Sequence, residues 1–333
     1  MVGWFLDVSI FKYLLRRGVP QDQGRPDTYC MGLQTAASAL ILPISSESEP
    51  QYRHKQIFPA GFDSISSSSC SHNHYSLDLD QLLDALIGSY SPHNHVEAIL
   101  VKNLWYGKET KSVEHEFIIV EVEDMEGKNL KNFMILDRNN GEPTESSVRG
   151  ISQISSSGTV AKDQFRIAYD GDKKKLLQQC NLSDHIILEQ IQFSPGQKFK
   201  LYQLATIASV VSERHTAYNV ISANCYWFAG LTWECVLEMY PQVQHELLAN
   251  SKKRKRGSYS VLSRQKVDPE QRKSAYRVAK EKQMVVEADL VKQKRDYDDG
   301  RQVELKLLRQ TVVDLQNRLD AAQLPTRSLV APL

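Results

Sequence analysis

Glu116-Phe117-Ile118-Ile119-Val120-Glu121-Val122 and Asn132-Phe133-Met134-Ile135-Leu136-Asp137 are the two stretches on which the fold turns. Both are rich in β-branched and aromatic residues and read as strands. The link Glu123-Asp124-Met125-Glu126-Gly127-Lys128-Asn129 has turn composition, which predicts an antiparallel hairpin. Side chains alternate along a strand, so His115, Phe117 and Ile119 share a face, as do Phe133, Ile135 and Asp137. With the turn near Glu126, His115 and Asp137 fall about opposite each other on that face. A slip of one residue would substitute Arg138 for Asp137 and break the pair.

Outward from the hairpin, Val96 to Trp105 and Ile186 to Phe193 read as further strands, the second closed by Ser194-Pro195-Gly196. Helical spacing of apolar residues predicts helices over 76–88, with Ser76 as N-cap and Gly88 closing, and over 199–211. A helix over 29–42 is stopped by Pro43, and residues 4–15 read as a short amphipathic helix. Residues 140–180 read as a polar, irregular excursion. The expected class is α+β: a small antiparallel sheet with packed helices, plus a long C-terminal helical tail. The implied organisation is an N-terminal helical segment (1–43), a Ser-rich loop (44–75), an α+β domain (76–245) and a basic, charged tail (246–333).

The chemistry-bearing stretch is Asn224-Cys225-Tyr226-Trp227-Phe228-Ala229-Gly230, with Asn224 as the cap of an apolar helix and Cys225 in its first turn. A thiol at a helix N-terminus faces free backbone N–H groups and the positive end of the dipole, both of which favour the thiolate. An imidazole on a neighbouring strand, oriented by a carboxylate, completes a nucleophile–base–orienter arrangement of Cys225, His115 and Asp137. The Cys225 N–H is then a candidate oxyanion donor. Each residue alone has a plainer explanation. Free cysteine is often buried as a small hydrophobe. A strand-end histidine is ordinarily a surface residue, and Asp137 before Arg138-Asn139-Asn140-Gly141 can begin a turn. His215, in a loop before Cys225, is a competing base.

The order strand-His, strand-Asp, then Asn-Cys opening an apolar helix resembles the circularly permuted papain-like fold of thiol hydrolases and acyltransferases. That group includes the lecithin:retinol acyltransferase-like enzymes. The Asn-Cys-Tyr-Trp-Phe-Ala form is also similar to that of uncharacterised fungal proteins. The resemblance covers about residues 96–240 and implies Cys225 as nucleophile, His115 as general base and Asp137 as orienting residue. The long segment between Asp137 and Cys225 departs from compact members. Peptidases, acyltransferases and deconjugating enzymes share the pattern, so it selects acyl transfer at an amide, ester or isopeptide without choosing a substrate. The other reading is a non-catalytic interaction or adaptor protein on the same scaffold, with Cys225 used for packing and the tail binding a partner.

Five scattered cysteines (Cys30, Cys70, Cys180, Cys225 and Cys235), with no Cys-x-x-Cys, argue against a disulfide framework or zinc site. They suit an intracellular, cytoplasmic or nuclear, setting. The N-terminus lacks the basic segment of a secretory signal, and no apolar run reaches membrane-spanning length, so no transmembrane segment is expected. No phosphate-binding glycine loop or dinucleotide fingerprint occurs, and no cofactor is expected. The pairs His72/His74 and His93/His95 lack accompanying metal ligands and read as polar loop. Lys252-Lys253-Arg254-Lys255-Arg256 is compatible with nuclear import or a nucleic-acid contact, although acidic residues in the tail dilute the basic field. Leu305, Leu308, Val312, Leu315 and Leu319 alternate spacings of three and four, an a/d seam that offers self-association through 301–322, the other readings being docking of the stripe onto the globular domain or partial disorder. Backwards the seam meets Arg301, Asp298 and Lys294 and fades, and Asp298-Asp299-Gly300 is where the helix is expected to break.

Overall fold

The computed structural model describes residues 53–59, 62, 74–88, 96–110, 114–126, 130–140, 159–218, 224–248, 256 and 267–323. The helices expected over 4–15 and 29–42, the serines at 64–69 and most of the basic run lie outside these residues. All described residues belong to the unit Pro50–Leu333.

The architecture is α+β. Its strands are β1 (Tyr75–Asp78), β2 (Ile99–Glu109), β3 (Glu116–Asp124), β4 (Leu130–Asn140), β5 (Thr159–Ile167), β6 (His185–Gln192), β7 (Ala217–Tyr218) and β8 (Gln244–Leu247). An antiparallel sheet runs β1-β5-β4-β3-β2-β6-β8, with β7 paired to β5 off that path. The helices are α1 (Leu79–Ile87), α2 (Lys173–Gln179), α3 (Leu201–Glu213), α4 (Cys225–Met239) and α5 (Pro269–Gln323).

Alternation along the strands assigns the two faces. Ile118, Val120, Val122, Met134 and Leu136 point into the main core with α1, α3, α4 and the first half of α5. Phe117, Ile119 and Ile135 point the other way, onto Leu176 and Leu177 of α2 and onto Cys180 and Leu182. In β2 a register shift between Val101 and Asn103 keeps Ile99, Val101, Leu104 and Tyr106 all in the main core. A bulge is how one strand changes the parity of its inward residues. Helix α4 is buried almost all round, from Cys225 to Val236 with Glu234 the exception. That makes it the central helix rather than a surface one.

The structure departs from the sequence reading at several places. Residues 140–180 are not irregular throughout: they contain β5 and α2. Ser76 lies in β1, and α1 is capped instead at Asp78, whose N–H donates to Gln81 Oε1 at 3.0 Å. Within the stretch read as a Ser-rich loop, Ile57 and Phe58 are fully buried in the main core. Helix α5 runs unbroken through Asp298-Asp299-Gly300. Its first half joins the core through Ala275, Ala279, Val286 and Leu290, while the Leu305–Leu319 seam is exposed. No helix among the described residues is long and apolar enough to cross a membrane.

Candidate thiol–imidazole site

The ladder between β3 and β4 pairs Ile118 with Leu136 and Ile119 with Ile135. Continued by one step, it sets Phe117 opposite Asp137, so His115 is diagonal to Asp137 rather than directly opposite. The offset from the expected register is two residues, which preserves the face. A diagonal pair is still within reach of long and aromatic side chains. His115 Nε2 lies 3.1 Å from Asp137 Oδ2. The ring stacks on Phe117 with centroids 6.1 Å apart. Glu114, immediately before it, has φ of 48°, and its carboxylate is 2.8 Å from Lys108 Nζ. A non-glycine residue in the left-handed region costs of order 1–3 kcal/mol and persists only where its surroundings fix it.

Asp137 is fully buried and is the hub of the site. Its Oδ2 accepts from Arg166, from Asn139 Nδ2 at 2.9 Å and from His115, while Oδ1 has no partner. Burial by itself would favour the neutral acid, but the Arg166 guanidinium and His115 outweigh it and hold the carboxyl below its ordinary range. Arg166 is fixed in turn by donating to the Cys180 carbonyl at 3.2 Å.

Cys225 is the first residue of α4. Asn224 caps the helix, its Oδ1 accepting from the Trp227 N–H at 3.2 Å. Cys225 is 2% exposed, and its thiol lies close enough to the His115 ring to raise that ring's pKa. With Nε2 committed to the carboxylate, Nδ1 is the nitrogen left for the thiol. Burial would lower the pKa of His115. The bond to Asp137, then the nearby thiol and charge of Cys225, more than offset this and raise it from 6.5 to about 10. Cys180 and Cys235 have no such partner, and burial pushes their thiols up to about 11 and about 12.

The other base considered, His215, is exposed, and its ring sits edge-on to Trp227 at 4.7 Å. Its pKa is lowered by burial and by Arg138 and Arg214, and its carbonyl accepts from Arg138 at 2.8 Å. It is a tether for the chain leading into α4. Arg138 itself is fully buried, bidentate to Asp163 at 2.7 and 2.6 Å and stacked under Trp227 and Phe228 at 5.1 and 5.3 Å. This packing fixes the first turn of α4, and so the thiol, against the sheet.

Sequence reasoning missed Arg166, Asn139 and a buried polar group between β2 and β3. There Tyr106 donates to Glu116 Oε2 at 2.5 Å, and Lys108 lies 3.4 Å from Glu116 and 5.7 Å over the Tyr226 ring. Glu116 and Lys108 were hidden because charged residues inside a strand normally point to water. Among the described residues no group of three or more His, Cys, Asp or Glu is arranged to hold a metal. Of the basic run only Arg256 is described, and it donates to Glu189 at 2.5 Å and to Glu234 at 2.7 Å instead of standing free.

The chain matches no family model, no curated protein and no solved structure.

Proposed function

We propose that this protein is a thiol-dependent acyl-transfer enzyme in which Cys225 is the nucleophile, His115 the proton carrier and Asp137 the residue that orients the ring. The observation that carries the reading is one imidazole paired with a buried carboxylate at 3.1 Å and near enough to a helix-terminal thiol for that thiol to raise its pKa. The permuted papain-like resemblance supports it through the order of His strand, Asp strand and Cys helix, and it extends to amide, ester or isopeptide substrates.

In the reaction the Cys225 thiolate attacks the carbonyl carbon. A C–S bond forms and the carbonyl π pair moves onto oxygen, next to the N–H groups of the first turn of α4, which have no intrahelical carbonyl to bond. Collapse expels the amine, alkoxide or thiolate, which takes the proton held by the imidazolium of His115. Water or another acceptor then gives a proton to His115 and attacks the thioester. The C–S bond breaks, and the thiolate and the protonated ring return. Asp137, held ionised by Arg166, stabilises the imidazolium and fixes its orientation.

The second reading, a non-catalytic interaction protein, is favoured by one observation: Cys225 is 2% exposed. A small thiol-directed alkylating agent separates the two near neutral pH. The enzyme reading expects Cys225 to react far faster than Cys180 and Cys235, and His115→Ala to abolish that selectivity. Equal, slow labelling of all three would leave Cys225 a packing residue.

A further inference from the structure

Helix α5 has two halves with different surroundings. In the first, Ala275, Ala279, Gln283, Val286 and Leu290 are buried against α3 and α4, and Gln283 Nε2 donates to the Gln203 carbonyl at 3.1 Å. Further along, Gln293 Nε2 donates to the Ile87 carbonyl at 3.1 Å. From Arg301 to Ala321 every residue is exposed. That overhang carries Leu305, Leu308, Val312, Leu315 and Leu319 at 37–64% exposure.

The bare stripe continues the docked one. Leu308 follows Leu290 by 18 residues, and Leu315 and Leu319 follow Ala279 and Gln283 by 36 residues each. At about 3.6 residues per turn these are whole numbers of turns, so both stripes lie on one side of the helix. The side that packs on the domain therefore runs past the domain's edge with apolar residues still on it.

We propose that the overhang of α5 pairs antiparallel with the same segment of a second copy of this chain, through Leu305, Leu308, Val312, Leu315 and Leu319. The direction follows from the shared side. In a parallel pair the first half of the partner's helix would have to run where this chain's own α3 and α4 already lie. In an antiparallel pair the two domains sit at opposite ends. Layering Leu305 on the partner's Leu315, and Leu308 on the partner's Val312, brings Glu304 beside the partner's Arg318 twice over, by symmetry. Flanking charges of this kind set orientation in helical pairs. Thr311 faces its own copy at the centre, and Arg309 meets the partner's Arg309, the single like-charge contact of this register. Shifting the layers by one heptad removes the Glu304–Arg318 pairing. Four apolar residues per helix fill the layers of this register, with Leu319 over the partner's Arg301 at the margin, so the seam is short and the association reversible.

Sedimentation of the full chain over a wide concentration range tests this. The expected result is a monomer–dimer equilibrium that Leu308→Glu with Leu315→Glu abolishes, with the helical signal and thermal midpoint of the monomer unchanged. At low salt Arg318→Glu weakens the dimer about tenfold by turning two attractions into repulsions, and adding Glu304→Arg restores it. A monomer at every concentration overturns the proposal. So does a dimer in which Arg318→Glu is silent and Arg309→Glu weakens association, because in a parallel pair Glu304 would face Arg309.

Discussion

Replacing Asp137 by Asn keeps the side-chain volume and removes one charge from the centre of the site. Asp137 is the only carboxylate among the described partners of Arg166, whose side chain is 10% exposed and whose other bond is to the Cys180 carbonyl. A charge left unpaired in such a place costs 3–5 kcal/mol, and because the Asn oxygen still accepts one bond, a loss of about 3 kcal/mol is expected. The same substitution removes one of the two groups that hold a proton on His115, so its pKa falls from about 10 toward 6.5. Two measurements follow: chemical denaturation of Asp137→Asn, and the titration of the His115 ring by NMR. Adding Arg166→Gln to Asp137→Asn recovers part of the stability, with a coupling above about 1 kcal/mol, because both partners of a buried pair are then neutral. If Asp137→Asn unfolds within about 0.5 kcal/mol of the parent, or if the His115 titration does not move, Asp137 is neither a desolvated partner of Arg166 nor the group that holds the ring.

Gly107 faces the Phe117 ring, and a Cβ there would lie 2.5 Å from it. Gly107→Ala therefore costs about 1–3 kcal/mol by overpacking, read by denaturation, and slows Cys225 alkylation, since Phe117 is the ring on which His115 stacks. His115 has a folded pKa above its unfolded one, so its stabilisation is complete below about pH 6.5 and is lost as pH rises toward 10. Asp137 is the reverse, its contribution lost only in acid below the ordinary carboxylate range. Unfolding free energy should thus fall between pH 6.5 and 10, and His115→Gln should flatten that fall. Ending the chain after Tyr297 should leave the midpoint of the dilute protein unchanged. Ending it after Asp268 should remove about 5 kcal/mol or more, the burial of Val286, Leu290 and the surfaces of α3 and α4 they cover.

The hairpin was legible because Phe-Ile-Ile-Val and Phe-Met-Ile-Leu are buried on both faces, which only a covered sheet explains. His115 and Asp137 were legible for a geometric reason: alternation has period two, and the error in register was also two. The cap at Asn224 and the central position of α4 follow from local residues alone. Strand β5 was not legible. Thr159-Val-Ala-Lys-Asp-Gln-Phe-Arg-Ile167 looks soluble, and its buried charges are compensated from a distance, Asp163 by Arg138 and Arg166 by Asp137. No local pattern reveals such pairs. The break expected at Gly300 failed for the opposite reason. A single exposed glycine costs about 1 kcal/mol in a helix, too little to interrupt one anchored by the packing of its first half.

Arg256 has a consequence for whatever reads the basic run. Its guanidinium is held by Glu189 and Glu234 and lies 5.5 Å over the Tyr106 ring, whose hydroxyl bonds Glu116. A receptor that requires all five cationic side chains must first draw the fifth out of this carboxylate clasp. Recognition of the run is therefore a competition with the domain for Arg256, and success would uncover the Tyr106 ring that the guanidinium covers.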